Sequence, residues 1–509
     1  MTALEARHNV TQAMVWVLLL GLAATAGLLI ATDISALVLA VAATGWLITL
    51  PYHAHISVWL TGIMFGAGLL VPFFPGRPQL WELGSVLGWT GLVIMLALRR
   101  QAPGYGAALK QYRFMLLGVA GFVVTLLILM RLRGVGFAIF GGSSGGSNTG
   151  GRYYLQQVFS GVLPFVFLAV APSEKALVRI CTVQFLLSVT YLVSDFAFAA
   201  GPAFYPLLYF FDLSTDAFGF ETMAQTGGIR RFQSFARIAL NGAYLLMVAI
   251  PLRRMVSFRG TGWLMLFGIL LGMGLLGGHR GLLSLLGMTT LLMSWTERIW
   301  NPLRVTVASL VLGSSLLLAY AFARELPLAA QRALSALPGI ELDAMAAQDG
   351  RNTLDGRNVM RTVAFELMPR YWIFGRGLQY VPNLPREVLG YEPTVRENIE
   401  IGRFYNGLIG IAVNTGLPGT LFFVVMLIGG TRVALQILFR FRHYGMHDRF
   451  ERMCGLMACL WLTTTFYFCI LDGSADFALT SFALPGALML AFHQKLLARP
   501  LPEFASQAS

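Results

Sequence analysis

The chain has 509 residues, 56% of them hydrophobic and 12% charged, with a formal net charge of +13. Soluble globular chains carry roughly 25% charged residues, so this composition excludes a soluble enzyme. The positive charge does not point to nucleic acid, because most basic residues flank apolar segments, where the positive-inside rule accounts for them.

Many apolar runs are long enough to cross a hydrocarbon core about 30 Å thick. The expectation is an all-α polytopic membrane protein with about 14 transmembrane helices and one large external (periplasmic) loop subdomain. The first run, residues 14–30, follows Arg7 and is longer than the roughly 7–15 apolar residues of a signal peptide, so it reads as the first span. Further spans centre near residues 43, 64, 89, 122, 163, 188, 244, 269, 288, 313, 417, 461 and 485. This divides the chain into a bundle (1–322), a loop (323–403) and C-terminal helices (404–509). Cys181, Cys454, Cys459 and Cys469 fall in or beside apolar runs without metal-ligand spacing and read as small buried hydrophobes.

Five connections are strongly basic: 98–113, 173–179, 252–259, 297–304 and 440–452. Placing all five in the cytoplasm puts both termini there as well. The opposite face then receives 131–153, 196–235 and 323–403. Within the first of these, "GGSSGGSNTGG" (141–151) has no GK[ST] and reads as a flexible linker. The third predicts a helix over 354–372 and a loop over 374–393.

Three clusters on that face carry candidate chemistry. In "GGIRRFQSFARIALNG" (227–242), Arg230, Arg231 and Arg237 stand at the start of a span, on the side where the positive-inside rule disfavours them, and Asn241 follows. In "LLGGHRGLL" (275–283), Arg280 sits in a turn between two spans beside the titratable His279, with Gly277, Gly278 and Gly281 leaving the backbone open. A snorkelling side chain at a helix end is the plainer reading of Arg280. In "IGRFYNGLIGIAVNTGLPG" (401–419), Tyr405, Asn406 and Asn414 precede or enter an apolar run, as a site or as interhelical glue. The interval 323–403 holds ten arginines, ten carboxylates and no lysine. Arginine grips phosphate through its planar fork, but the chain has only Lys110, Lys175 and Lys495, so arginine is also its ordinary cation. The loops show no HExxH, DxD or His-rich metal spacing.

These clusters in this order resemble the O-antigen ligase and O-antigen polymerase superfamily of bacterial membrane glycosyltransferases, over roughly 225–430. Arg231 to Asn241 is similar to its arginine-led helix start, and His279-Arg280-Gly281 to its Ser-Arg-Gly-like turn. Arg357 and "YWIFGRGLQY" (371–380) resemble its loop arginine and "PLFGxGxG". Tyr405-Asn406-Gly407-Leu408 and "NTGLPG" (414–419) resemble its His-Asn-x-x-Leu and following Gly-x-x-Gly. The resemblance implies transfer of a glycan from a polyprenyl-diphosphate carrier to a hydroxyl acceptor outside the cytoplasmic membrane, with inversion. That activity uses no metal, nucleotide or other cofactor, and its setting is O-antigen or exopolysaccharide polymerisation or ligation. The implied partners are the lipid-linked donor, a glycan or lipid-linked acceptor and membrane lipids. It implies Arg280, Arg231, His279 and Tyr405 as catalytic, and Arg230, Asn241, Arg357, Arg376 and Asn406 as substrate-binding.

Tyr405 departs from the family's histidine, and a tyrosine that titrates near its usual value of about 10 is a poor base at neutral pH. His279, Glu397 or Glu400 could serve instead, or departure of an arginine-bound diphosphate could be most of the catalysis. The departure argues against a lipid-A-type ligase. A lipid-linked glycan flippase or secondary transporter is the alternative expectation, and a scaffold subunit of an export complex the third.

Overall fold

The computed structural model describes residues 34–72, 77–133, 151–212, 233–278, 280–300, 320–335, 339–378 and 402–500, with scattered positions at 306–318, 337 and 395–399. All regular elements among them are helical. Ile34–Thr49 (α1) passes through the 3-10 turn Leu50–Tyr52 into His53–Met64 (α2). The spans expected near 43 and 64 are therefore separated by one turn and not by a loop, because Pro51 has no amide hydrogen to extend the helical ladder. Next come Leu80–Ala97 (α3), Tyr105–Gln111 (α4), Arg113–Leu132 (α5), Gly151–Ser160 (α6), Leu163–Val170 (α7), Glu174–Leu187 (α8) and Thr190–Ala200 (α9). Gln233–Ala249 (α10), Leu252–Met255 (α11), Thr261–Leu276 (α12) and Arg280–Thr296 (α13) form the middle of the chain. Leu328–Leu334 (α14) and Ala344–Tyr371 (α15) fall in the expected large loop, and Gly407–Tyr444 (α16), Arg449–Phe466 (α17) and Ala478–Ala498 (α18) follow.

Seven helical segments among the described residues are long and apolar enough to cross a membrane: α3, α5, α6–α7, α8–α9, α16, α17 and α18. α10, α12 and α13 are apolar but shorter. The span expected near residue 22, and most of the one near 313, lie outside the described residues. The helix expected over 354–372 is present as α15. It begins earlier because the Asp343 carboxylate caps it, accepting the Met345 amide at 2.8 Å.

Apolar side chains gain little by exchanging lipid for protein, so these helices must associate through close packing. α5 and α16 meet through glycines. A Cβ on Gly118 would lie 2.4 Å from the Met426 nitrogen, and one on Gly429 would lie 2.4 Å from the Met115 nitrogen. Beside this seam the buried Phe423 ring has Phe122, Phe468 and Phe482 at centroid distances of 5.5, 5.5 and 5.6 Å. Tilted and edge-on pairs of this kind contribute about 0.5–1.5 kcal/mol each beyond burial. They tie α5, α16 and α18 to the turn after α17.

The charged connections segregate to two ends. At one end the Arg253 amide donates to Glu297 (3.1 Å), Arg298 donates to the Arg442 carbonyl (2.5 Å), and Arg499 pairs with Asp448 (2.8 Å) and with Glu174. The Ala102 amide reaches the Ala169 carbonyl at the same end (2.8 Å). All five basic connections therefore gather there. Residues of α14, α15 and the 372–378 segment meet the other end.

At that other end α16 is broken. Gly416 has φ 67° inside the helix, two residues before Pro418. The break exposes carbonyls that a bundle interior cannot leave unpaired. The segment after α15 supplies their donors: the Arg376 amide to the Val413 carbonyl (2.8 Å) and the Gly377 amide to the Asn414 carbonyl (2.7 Å). In return the Leu417 amide donates to the Trp372 carbonyl (2.6 Å). Such contact needs glycine on both sides, since a Cβ on Gly416 or Gly375 would fall within 2.6 Å of the opposing backbone. Gly416→Ala should therefore lower stability by about 1–3 kcal/mol, read as a fall in melting temperature in detergent. Gly106→Ala, where added carbon meets nothing within 4 Å, should be neutral or stabilising by up to about 1 kcal/mol. Equal melting temperatures for the two variants would refute the docked break.

Candidate functional site

The docked segment leads the chain back to α16 through Gly402–Asn406, which lies against the turn between α17 and α18. Arg403 Nε donates to Asp476 at 3.0 Å, and its guanidinium lies over the Phe477 ring at 5.2 Å. Burial is the largest single influence on Arg403 and opposes its charge, but Asp476 together with Tyr153 and Tyr405 raises the arginine's pKa overall. Asp476, 4% exposed, also accepts the Ser474 hydroxyl. Asn406 starts α16 as its cap, accepting the Ile409 amide at 3.2 Å.

Between these two, Tyr405 adopts φ 50°, a left-handed conformation that side chains disfavour. Its hydroxyl donates to Asn398 Oδ1 at 3.3 Å, and the Arg357 guanidinium lies over its ring at 5.0 Å. Arg357 comes from α15. Its Nη2 pairs with Asp472 at 3.4 Å and its Nη1 donates to the Leu471 carbonyl at 3.3 Å, while its Nε is buried without a partner among the described residues. Asp472 accepts the Tyr467 hydroxyl as well, at 3.1 Å.

Tyr467 carries the chain of contacts to the third cluster. A Cβ on Gly281 would lie 2.1 Å from the Tyr467 hydroxyl, so only glycine lets the two approach. The turn between α12 and α13 is held from its other side by Arg332 of α14, which pairs with Asp349 and donates to the Gly278 carbonyl at 2.8 Å. Gly278 has φ 64°, and a Cβ on Gly277 would lie 2.9 Å from the Ala236 nitrogen of α10. The first turn of α10, the glycine turn, α15 and the Tyr405 segment thus converge at one end of the bundle.

Of the residues singled out by sequence, Arg357 and Tyr405 are in contact there, and Arg280 opens α13 beside Gly281. Arg230, Arg231, His279, Glu397 and Glu400, and the Arg280 side chain, lie outside the described residues. Asn241 is half-buried on α10, and Arg237 stacks on Tyr191 at 4.0 Å. Arg376 is 4% exposed and donates from Nη1 to the Ile399 carbonyl at 2.5 Å, so its guanidinium braces the wall of the site. Asn414 donates to the Gly402 and Gly410 carbonyls, both at 2.9 Å, bracing the segment that carries Tyr405.

Sequence reasoning missed Asp472, Asp476, Tyr467, Arg403 and Arg332. The signal for the two aspartates was present in "LDGSADF" (471–477), the polar turn between the last two apolar runs. With the expected orientation, that turn falls on the face of the arginine-rich interval.

Comparison of the chain with protein-family models gives no match, and comparison with curated proteins likewise gives none.

The Arg357–Asp472 pair is partly exposed, with side chains 27% and 24% accessible. A double-mutant cycle of Arg357→Ala and Asp472→Ala should therefore give a coupling of about 0.5–1 kcal/mol. Additive changes in melting temperature would show that the two side chains do not interact.

Proposed function

We propose that this protein transfers a glycan from a polyprenyl-diphosphate carrier to a hydroxyl acceptor at the outer face of the bacterial cytoplasmic membrane. In this reading the chain has about 14 spans, the 323–403 interval is periplasmic, both termini are cytoplasmic, and the reaction is polymerisation or ligation of a polysaccharide. The observation that supports it best is Arg357, a guanidinium whose buried Nε has no partner among the described residues, at the meeting point of the segments that carry Arg280 and Tyr405. A buried donor without an acceptor calls for one, and a diphosphate oxygen suits a guanidinium fork.

The acceptor oxygen attacks the anomeric carbon, the bond from that carbon to the carrier's terminal phosphate oxygen breaks, and the diphosphate leaves on the carrier. Attack from the face opposite the leaving group inverts the centre. Charge grows on the diphosphate, so cations fixed in advance stabilise the transition state more than the ground state. Arg357 serves here with Arg280 and Arg231. Asp472 positions Arg357 and holds the Tyr467 hydroxyl. Tyr405 orients the acceptor hydroxyl, whose proton leaves to a basic group among His279, Glu397 and Glu400 or to solvent.

The broken helix α16 is a feature that transporters share. Here, though, the carbonyls at the break already accept the Arg376 and Gly377 amides. The break is thus occupied by the protein's own backbone, which favours transfer chemistry over alternating access.

Purified protein in lipid, given a polyprenyl-diphosphate oligosaccharide, should lengthen or transfer the glycan and release the carrier. Arg280→Ala and Arg357→Ala should each lower the rate by about 100-fold or more, and Arg357→Lys should restore only part of it because the fork is lost. Carrier movement across vesicles without new glycosidic bonds, or full activity in both alanine variants, would overturn the reading.

A further inference from the structure

The basic end of the bundle, opposite the candidate site, holds an open cavity of about 600 Å³ lined by Arg298, Phe439, Arg442 and His443. Phe439 also lines an apolar groove of about 710 Å³ that continues along α16 past Leu435, Ile428 and Val424. Cavity and groove therefore adjoin.

The cations at the mouth are fixed in an unusual way. Arg298 follows α13 with φ 54°, a conformation that side-chain-bearing residues rarely hold without a reason in their surroundings. Its Nε donates to the Arg442 carbonyl at 2.5 Å and its Nη2 to the His443 carbonyl at 2.8 Å. Arg442 Nη1 donates to the Trp295 carbonyl at 2.5 Å, and its guanidinium lies over the Trp295 ring at 5.3 Å. All these partners are neutral, so both positive charges stay uncompensated. Of the neighbouring acids, Glu297 Oε2 accepts the Arg253 amide at 3.1 Å while its buried Oε1 has no hydrogen-bond partner among the described residues, and Asp448 and Glu451 pair with Arg499 at 2.8 and 3.4 Å. Among the described residues, neither Arg298 nor Arg442 forms an ion pair with a carboxylate.

We propose that this cavity and groove bind one anionic phospholipid. Arg298 and Arg442 hold its phosphate, and one acyl chain lies along Phe439, Leu435 and Ile428. Charge complementarity identifies the occupant. A zwitterionic lipid offers the tail without net charge, and free phosphate offers charge without a tail. From Phe439 to Ile428 the groove follows α16 for about 16 Å at 1.5 Å per residue. That is close to one leaflet of a hydrocarbon core about 30 Å thick. Phe439 and Trp300 are 57% and 55% exposed, as rings at a membrane interface are. Anionic lipid on the cytoplasmic leaflet is attracted to basic residues gathered at that surface.

The test uses the full protein in phosphatidylcholine nanodiscs containing phosphatidylglycerol with a photoreactive acyl chain. Irradiation should label peptides covering 295–300 and 428–443, and millimolar inorganic phosphate should not compete. A phosphatidylcholine probe, or the Arg298→Gln/Arg442→Gln variant, should give labelling lower by about five-fold or more, while Arg298→Lys/Arg442→Lys keeps most of it. Equal labelling by both probes, labelling spread over the other helices, displacement by phosphate, or full labelling of the glutamine variant overturns the proposal. The two-probe comparison on unaltered protein decides the question even if the glutamine variant fails to fold. The readout is binding, so it stands apart from any glycan-transfer result.

Discussion

The arrangement of the site depends on one exchange of backbone hydrogen bonds, between the broken turn of α16 and the segment that follows α15. A helix surrounded by apolar side chains has no water to satisfy a freed carbonyl. The break at Gly416 therefore persists only because Arg376 and Gly377 present their amides to it. That docking fixes the C-terminal end of α15, and Asn414 fixes the Gly402–Asn406 return from the same helix. Arg357 and Tyr405 then meet as a consequence, although 48 residues separate them in the chain.

Charge is handled differently at the two ends of the bundle. At the site end several described guanidiniums are tied to carboxylates of other segments: Arg332 to Asp349, Arg357 to Asp472, Arg403 to Asp476 and Arg152 to Glu82. The more exposed of these pairs, Arg152–Glu82 and Arg357–Asp472, add little stability on their own. Their larger effect is geometric, since each holds a planar fork in one orientation. At the basic end Arg499 gathers three acids from two elements, while among the described residues Arg298 and Arg442 form no ion pair, donating to carbonyls with Arg442 also over the Trp295 ring. The basic end thus sets cations beside an apolar groove, and the other end sets paired cations beside a glycine turn.

Much of this order was legible in the sequence. Hydrophobic run length announced the apolar helices, and the basic connections gather at one end as their charge pattern implied. The C-terminal end of α15 at Tyr371 falls within one residue of the expected 372, while its start at Ala344 lies ten residues before the expected 354. The glycines around Arg280 marked a turn, and Gly278 and Gly281 are used there for a positive φ and for contact with Tyr467. The roles of Arg376, Asn406 and Asn414 were harder to read. A polar side chain beside a membrane helix looks the same in sequence whether it meets a ligand, caps a helix or braces a loop.

The sequence by itself determined the class of structure and the gathering of basic connections at one end, because both follow from local quantities: hydropathy over about 20 residues and the sign of short connections. Only the tertiary structure decided which polar residues share a site. Asp472 and Asp476 became partners of Arg357 and Arg403 because the final turn of the bundle folds against the 323–403 interval. Pairing across more than 70 residues leaves no trace in local spacing. Its physical basis is the close approach of backbones at Gly375, Gly416 and Gly281, and that approach exists only once the helices have packed.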